Sequence, residues 1–149
     1  MSAQPVARVQ ADLTAAMKAG DKERTSTLRL LLNAVKNEGL AARAEVDEPR
    51  FLALVQKGIK QRRESVEAFR GGGREELAAK EEREIELLAS YLPPPASEEE
   101  LRAAIAAFVA ERGLAGPQAL GPIMKEMTAR FAGRADGGTI GRLARQMLG

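Results

Sequence analysis

Apolar residues recur every three or four positions along most of the chain, which is the spacing of one face of an α-helix. No segment alternates apolar and polar residues with the period of two that a half-buried strand needs. Strong helix formers dominate the periodic segments. The pattern predicts an all-α fold, with four helices before residue 93 in the stretches "PVARVQADLTAAMKAG", "DKERTSTLRLLLNAVKNEGL", "RFLALVQKGIKQRRESVEAFRGGG" and "REELAAKEEREIELLASYL".

Three consecutive prolines at 93–95 interrupt this pattern, because proline cannot continue a helix and stiffens the connection. Ser97 then predicts the start of a new helix as its N-cap, with Glu100 as the capping-box partner. We therefore expect an N-terminal helical domain of about four helices at 1–92 and a small C-terminal three-helix domain at 97–149.

The C-terminal domain is expected to contain three helices, at 98–112, about 117–132 and 137–148, separated by glycines. Asp136 is the expected N-cap of the last helix, since its side chain precedes two glycines in the first turn. The inner face of that helix is expected to consist of Ile140, Leu143 and Met147.

Four charged residues lie on the apolar stripes of the predicted helices: Arg24, Arg62, Glu81 and Glu84. Each occupies a position where the helical spacing places a core residue. The stripes consist of Leu28, Leu31, Leu32 and Val35 in the second helix, Leu52, Val55, Ile59 and Val66 in the third, and Leu77, Ile85, Leu88 and Leu92 in the fourth.

Two interpretations of these charges are open: a catalytic or binding cluster inside a helical bundle, or a structural network of ion pairs. We favour the structural network, because buried charges are retained mainly when they are paired. Neighbouring carboxylates alone are weak evidence for acid–base catalysis. We expect Arg24 and Arg62 to form ion pairs with Glu81 or Glu84 at the interior or rim of the bundle.

The composition of the 149-residue chain excludes several kinds of catalytic and metal-binding residue. It contains no cysteine and no histidine, so thiol nucleophiles and thiolate or imidazole metal ligands are excluded. No phosphate-binding loop signature is present. We therefore expect no catalytic residue, no metal and no cofactor.

No apolar run approaches the ~20 residues of a membrane span. The N-terminal sequence "MSAQPVARVQ" lacks the apolar stretch of a signal peptide. We therefore expect a cytoplasmic protein without membrane contact.

The net charge is only +2, but cations are concentrated in two stretches. Residues 50–63 contain five cations and no acid, and Lys57 and Lys60 point away from the apolar stripe. Residues 113–149 contain five cations and two acids. A solvated basic face often serves only solubility. The candidate nucleic-acid contacts are Lys57 and Lys60 in the first stretch and Lys125, Arg130, Arg134, Arg142 and Arg145 in the second.

Several stretches resemble the GatB/YqeY family, and within it the stand-alone YqeY proteins: "MKAGDKERTSTLRLLLNAVKNE", "VQKGIKQRRESVEAF", "KEEREIELLASYLP" and "LGPIMKEMTARFAGRADGGTIGRL". The resemblance implies an N-terminal helical domain followed by a three-helix tail. It also implies tRNA contact, since a similar region of the B subunit of the glutamine-dependent tRNA amidotransferase contacts tRNA. The family label carries a carbon–nitrogen ligase activity with glutamine as amido donor, but the catalytic part of that subunit has no counterpart here.

Three functions follow from these observations. The first is a non-catalytic module that binds tRNA or another structured RNA by shape and backbone, since one tyrosine and no tryptophan leave no stacking platform for bases. The second is an accessory subunit of an amidotransferase, joined by protein contacts to amidotransferase subunits or to an aminoacyl-tRNA synthetase. The third is an enzyme that uses the cluster of Arg24, Arg62, Glu81 and Glu84.

Overall fold

The computed structural model describes residues 4–149, and within that range the chain is all-α, with no strand. This confirms the predicted fold class. A 3₁₀ turn at Pro117–Ala119 precedes the sixth helix, in the region where a longer helix was expected. The helices are α1 (Pro5–Lys18), α2 (Lys22–Ala42), α3 (Glu48–Gly71), α4 (Glu75–Ala89), α5 (Glu98–Arg112), α6 (Leu120–Arg130) and α7 (Gly137–Leu148).

Side-chain caps fix the start of four of these helices, because a side-chain oxygen satisfies a backbone N–H that the helix leaves free. Asp21 accepts from the backbone N–H of Arg24, and Asp47 accepts from that of Arg50, each at 3.0 Å. The two caps expected from the sequence have the same geometry. Ser97 Oγ accepts from the N–H of Glu100 at 3.0 Å, and Asp136 Oδ1 accepts from the N–H of Thr139 at 2.7 Å.

The described chain divides into two compact units, which we call the N-terminal unit, ending at Tyr91, and the C-terminal unit, Leu92–Gly149. In the N-terminal unit, α1 packs mainly on α2 and α3 packs mainly on α4. The apolar stripes of α2 and α3 are buried as expected, but Leu77 of α4 is 39% exposed. The next residue, Ala78, is fully buried in its place. The core of this unit includes Val9, Leu13, Leu28, Leu31, Leu32, Val35, Phe51, Val55, Ile59 and Leu88.

The C-terminal unit has its own apolar core, formed where α5, α6 and α7 meet. The N–H of Ala96 donates to the carbonyl of Arg134 at 2.9 Å, which ties the segment after the prolines to the turn before α7. Met147 is 40% exposed, contrary to the expected inner face of α7, and Ala144 is buried instead. The core residues are Leu101, Ile105, Phe108, Ala119, Ile123, Met127, Phe131, Ile140, Leu143 and Ala144.

Candidate functional site

A partly buried cluster of charges joins α3 to α4. Arg62 Nε lies 3.1 Å from Glu84 Oε2 and 4.0 Å from Glu81 Oε2. The side chains of Arg62 and Glu84 are only 16% and 12% exposed. Arg62 Nη1 also donates to the carbonyl of Gly58 at 3.3 Å, one turn earlier in α3. Each charge therefore faces an opposite charge or a backbone dipole, as a structural network requires.

Two carboxylates share one guanidinium in this cluster. Burial and the adjacent carboxylate of Glu84 raise the pKa of Glu81, and the attraction of Arg62 opposes that rise only in part. The proton affinity of Glu81 is therefore set mainly by its desolvation.

Arg24 does not join this cluster. Its side chain is exposed, and no ion pair connects it to Glu81 or Glu84. The physical reason is its place in the first turn of α2, where the apolar stripe ends and the side chain reaches solvent. A different pair links α2 to α4: Arg83 Nε donates to Glu23 Oε1 at 2.7 Å. A polar cavity of about 150 Å³ lies beside this pair, lined by Asp21, Glu23, Arg24, Thr27, Arg83, Glu84 and Leu87.

A second cluster, around Tyr91, was not predicted from the sequence. The Tyr91 hydroxyl donates to Asp12, and its ring packs edge-on against Phe51 with 5.7 Å between centroids. Burial and the Asp12 carboxylate raise the pKa of Tyr91 well above its ordinary value. The Arg8 guanidinium lies 5.0 Å above the Phe51 ring and forms an ion pair with Glu48. The "YLP" stretch was the available signal, since a buried tyrosine needs a hydrogen-bond partner.

Three of the five candidate cations in the C-terminal unit already have carboxylate partners. Arg134 donates to both oxygens of Glu100, at 2.9 and 3.1 Å, and its Nε donates to the carbonyl of Pro94 at 3.1 Å. The partner of Arg142 is Glu98, at 2.6 Å, whereas Arg130 pairs within α6. The bond from Arg142 lowers the pKa of Glu98.

The remaining two, Lys125 and Arg145, are exposed. Neither forms an ion pair with any residue of the described range 4–149. The Arg145 guanidinium lies against Gly141, where a Cβ atom would come within 3.3 Å of Nη1. These two cations are available to a ligand without loss of a partner.

On α3, both candidate nucleic-acid contacts are cations without a carboxylate partner, unlike most of those in the C-terminal unit. Lys57 and Lys60, which we call the basic strip, are both exposed. Neither is part of an ion pair within the described part of the chain. Arg50, by contrast, pairs with Glu38 at 2.9 Å. The basic strip therefore carries two positive charges that no carboxylate of the N-terminal unit neutralises through a direct contact.

An open groove of about 320 Å³ runs between α2 and α3, beside the basic strip. Leu30, which lines it, is 59% exposed, although it is a large apolar residue. This groove was not predicted from the sequence, because Leu30 lies off the buried stripe of α2 and the groove depends on how α2 and α3 meet. Its lining residues are Leu30, Leu31, Ala34, Leu54, Lys57, Gly58, Gln61, Arg62 and Leu88.

In the part of the chain that the structure describes, no group of three or more acidic side chains is placed to hold a metal ion. None of the helices in residues 4–149 combines the length and the apolar character that a membrane crossing requires.

The fold and its charges define an all-α protein of two helical units, with an ion-pair network in one unit and a paired basic surface in the other. A family model described as "Yqey-like protein" matches residues 6–148, so the chain belongs to this family. This confirms the resemblance to the YqeY proteins.

Curated relatives carry the name "Altered inheritance of mitochondria protein 41, mitochondrial". The protein from Lachancea thermotolerans is 37% identical over 75% of this chain, and the one from Eremothecium gossypii is 37% identical over 71%. The protein from Pyrenophora tritici-repentis is 30% identical over 86% of the chain and 71% of its own length. The matches to the first two span 62% and 60% of those proteins, so this chain covers less than two thirds of their length.

The expectation of a cytoplasmic protein is contradicted by this comparison, because the relatives are named as mitochondrial proteins. The expectation rested on the missing apolar stretch of a secretory signal peptide. That absence bears on the secretory route alone and does not distinguish the cytoplasm from an organelle.

Proposed function

We propose that this protein binds structured RNA, with tRNA as the first candidate, through the phosphate backbone and without catalysis. The observation that carries the proposal is the basic strip on α3. Lys57 and Lys60 are exposed and free of ion pairs within the described residues, in a stretch of 14 residues without an acid. Lysines that are not neutralised by carboxylates release counterions from RNA when they approach its phosphates.

The C-terminal unit contributes through Lys125 and Arg145, the two candidate cations that lack a carboxylate partner. Arg130 and Arg142 contribute less, because each has to exchange a carboxylate for a phosphate. Such exposed pairs are worth at most about 1 kcal/mol, so the exchange is feasible. The three bonds of Arg134 to Glu100 and Pro94 favour a structural role for that residue instead.

The charge cluster around Arg62 supports a structural role rather than catalysis. Its guanidinium is occupied by Glu84 and by the carbonyl of Gly58, and its side chain is 16% exposed. A substrate would have to displace these partners. We therefore assign no catalytic role to Arg24, Arg62, Glu81 or Glu84.

A second candidate function is that of an accessory subunit that works through protein contacts, with amidotransferase subunits or an aminoacyl-tRNA synthetase as partners. The specific observation in its favour is the groove beside Leu30, whose exposed apolar wall is typical of a protein-binding surface.

The test of RNA binding is the affinity for fluorescently labelled tRNA at several salt concentrations. The double variant Lys57→Ala with Lys60→Ala should weaken binding and lower the log–log salt slope by about 0.7–0.9 for each lost contact. The matched control is Lys18→Ala with Lys22→Ala, which removes the same charge from two other exposed lysines. If both double variants behave alike, binding follows net charge and the basic strip is not an RNA site.

A further inference from the structure

The groove between α2 and α3 has an apolar floor that the rest of the molecule leaves uncovered. Leu31 and Leu88 form its buried base, whereas Leu30 is 59% exposed. The groove exists because α2 packs mainly on α1 and α3 packs mainly on α4, so that α2 and α3 touch only over a short length. The side chain of Leu30 is therefore exposed to water, and no helix of the N-terminal unit covers it.

The two helices that border the groove carry no negative charge alongside it. Residues 24–37 of α2 contain three cations and no acid, and residues 50–63 of α3 contain five cations and no acid. Two of these eight cations, Arg50 and Arg62, are paired with carboxylates. Lys57, which lines the groove directly, is not paired within the described residues. Of these cations, only Lys57 and Arg62 line the groove, and Arg62 is paired with Glu84 of α4. Lys57 is therefore the unpaired charge at the border of the groove, and an acidic group on a ligand complements it.

The dimensions of the groove fit a helix. Leu30 and Ala34 stand one turn apart on α2, and Leu54 and Gln61 stand two turns apart on α3. Seven residues of α-helix span about 10 Å, so the α3 wall is as long as about two turns of a docked helix, and the α2 wall is as long as about one turn. Ala34 keeps the α2 wall low, whereas Gly58 makes room for the side chains of Arg62 and Leu88.

We propose that this groove binds an amphipathic α-helix of a protein partner. The helix places apolar residues at positions i, i+3 or i+4, and i+7 against Leu30, Leu31 and Leu54, and it carries Asp or Glu on the flank that faces Lys57. The lining residues include no aromatic side chain, so the groove offers no stacking surface for an RNA base. This proposal rests on the second candidate function, that of protein contacts through the groove, and it shares Lys57 but not Leu30 with the proposed RNA surface.

The experiment is a selection from a displayed library of helical peptides, randomised on all faces, against the full chain. Leu30→Gln is the counter-selection target, since it removes the exposed apolar side chain without adding a charge. Selected peptides should share the apolar spacing described above and an excess of acidic residues. Their affinity should fall about tenfold or more with Leu30→Gln, as is usual for a central apolar anchor. Lys57→Gln should weaken binding several-fold and reduce its dependence on salt.

Leu40→Gln is the matched control, because Leu40 is also an exposed leucine of α2, at 77% exposure, but does not line this groove. It should leave peptide affinity unchanged, and circular dichroism should show equal helix content in all three variants. The proposal is overturned if Leu30→Gln and the wild type retain the same peptides, or if the selected peptides are basic. It is also overturned if Leu30→Gln weakens tRNA binding, or if sedimentation shows a dimer that Leu30→Gln abolishes, since RNA or a second copy would then occupy the groove.

Discussion

The basic stretch of α3, residues 50–63, and the stretch of residues 113–149 both carry an excess of cations, but the structure gives them different charge partners. Residues 50–63 and 113–149 each contain five cations. On α3 the basic strip of Lys57 and Lys60 remains unpaired within the described range. In the C-terminal unit, carboxylates neutralise Arg130, Arg134 and Arg142. The excess of positive charge in a stretch of sequence therefore does not say how many cations are free to meet a ligand.

The difference comes from the start of α5. Glu98 and Glu100 lie outside residues 113–149, yet they accept from Arg142 and Arg134. The partners of Arg50 and Arg62 on α3 also come from other helices, Glu38 of α2 and Glu84 of α4, but no ion pair within the described residues includes Lys57 or Lys60. Whether a cation is free or paired therefore depends on the folded unit, because its carboxylate partner can come from a distant part of the sequence.

The largest expected effect is on the charge network of the N-terminal unit. Arg62→Ala leaves Glu84, which is 12% exposed, without its partner. We expect a loss of about 2–3 kcal/mol of unfolding free energy, less than for a fully buried pair because the cluster is partly solvated. Chemical denaturation at pH 7 measures it. The neighbouring Arg63→Ala removes an exposed cation and should change stability by less than about 0.5 kcal/mol. Equal effects of the two variants would contradict a structural role for Arg62.

A smaller effect is expected for the paired arginine of the C-terminal unit. Arg134→Ala removes the forked contact to Glu100 and the bond to Pro94, which should cost about 1–2 kcal/mol. Arg134→Lys keeps the charge but not the forked geometry, so it should recover little stability.

Lys125→Ala is the control in the same unit, and it should leave thermal unfolding unchanged. If Arg134→Lys restores stability fully, charge alone matters there. The forked contact of Arg134 with Glu100 would then contribute nothing beyond its charge, and pairing would not distinguish Arg134 from the free cations.

Most of the fold could be predicted from the sequence, because local patterns determine it. Helix spacing located the helices, and the caps Ser97 and Asp136 were placed by residue type alone. The errors concern positions where two residues compete for one buried place. Leu77 and Met147 are exposed, whereas Ala78 and Ala144 on the same helices are buried.

The candidate site could be predicted only in part, because its contacts join distant segments. Arg62 shares its helical phase with a core stripe, so its contact with α4 follows from periodicity. Arg24 has the same phase but stands at a helix end, where periodicity does not determine burial. The bond between Tyr91 and Asp12 spans 79 positions and has no local signature.

The contrast between paired and free cations also predicts a difference in RNA affinity within α7. Arg145→Ala removes a free cation and should weaken tRNA binding and lower the salt slope by about 0.7–0.9. Arg142→Ala should have a smaller effect, because its charge is already shared with Glu98. The measurement is tRNA affinity over a series of salt concentrations. Identical curves for the wild type and both variants would remove the C-terminal unit from the proposed RNA surface.

The smallest expected effect concerns the carboxylates of the two units. Glu98 lies between Arg142 and Arg102, and its pKa is lowered, whereas Glu81 shares Arg62 with Glu84, and its pKa is raised above 4.5. A raised pKa means that the folded state holds the proton more tightly than the unfolded chain. The contribution of Glu81 to stability therefore falls as the pH rises from about 4.5 through its folded pKa.

Glu81→Gln removes this penalty. It should stabilise the protein at pH 7 by a few tenths of a kcal/mol up to about 1 kcal/mol, and the gain should vanish below pH 4, where the wild-type carboxyl is also neutral. Melting temperatures of both proteins across this pH range measure the effect. Glu86→Gln, an exposed change on the same helix, is the matched control for the loss of one negative charge. Destabilisation by Glu81→Gln at pH 7 would mean that the attraction of Arg62, 4.0 Å away, outweighs desolvation and repulsion, and that Glu81 resembles Glu98 after all.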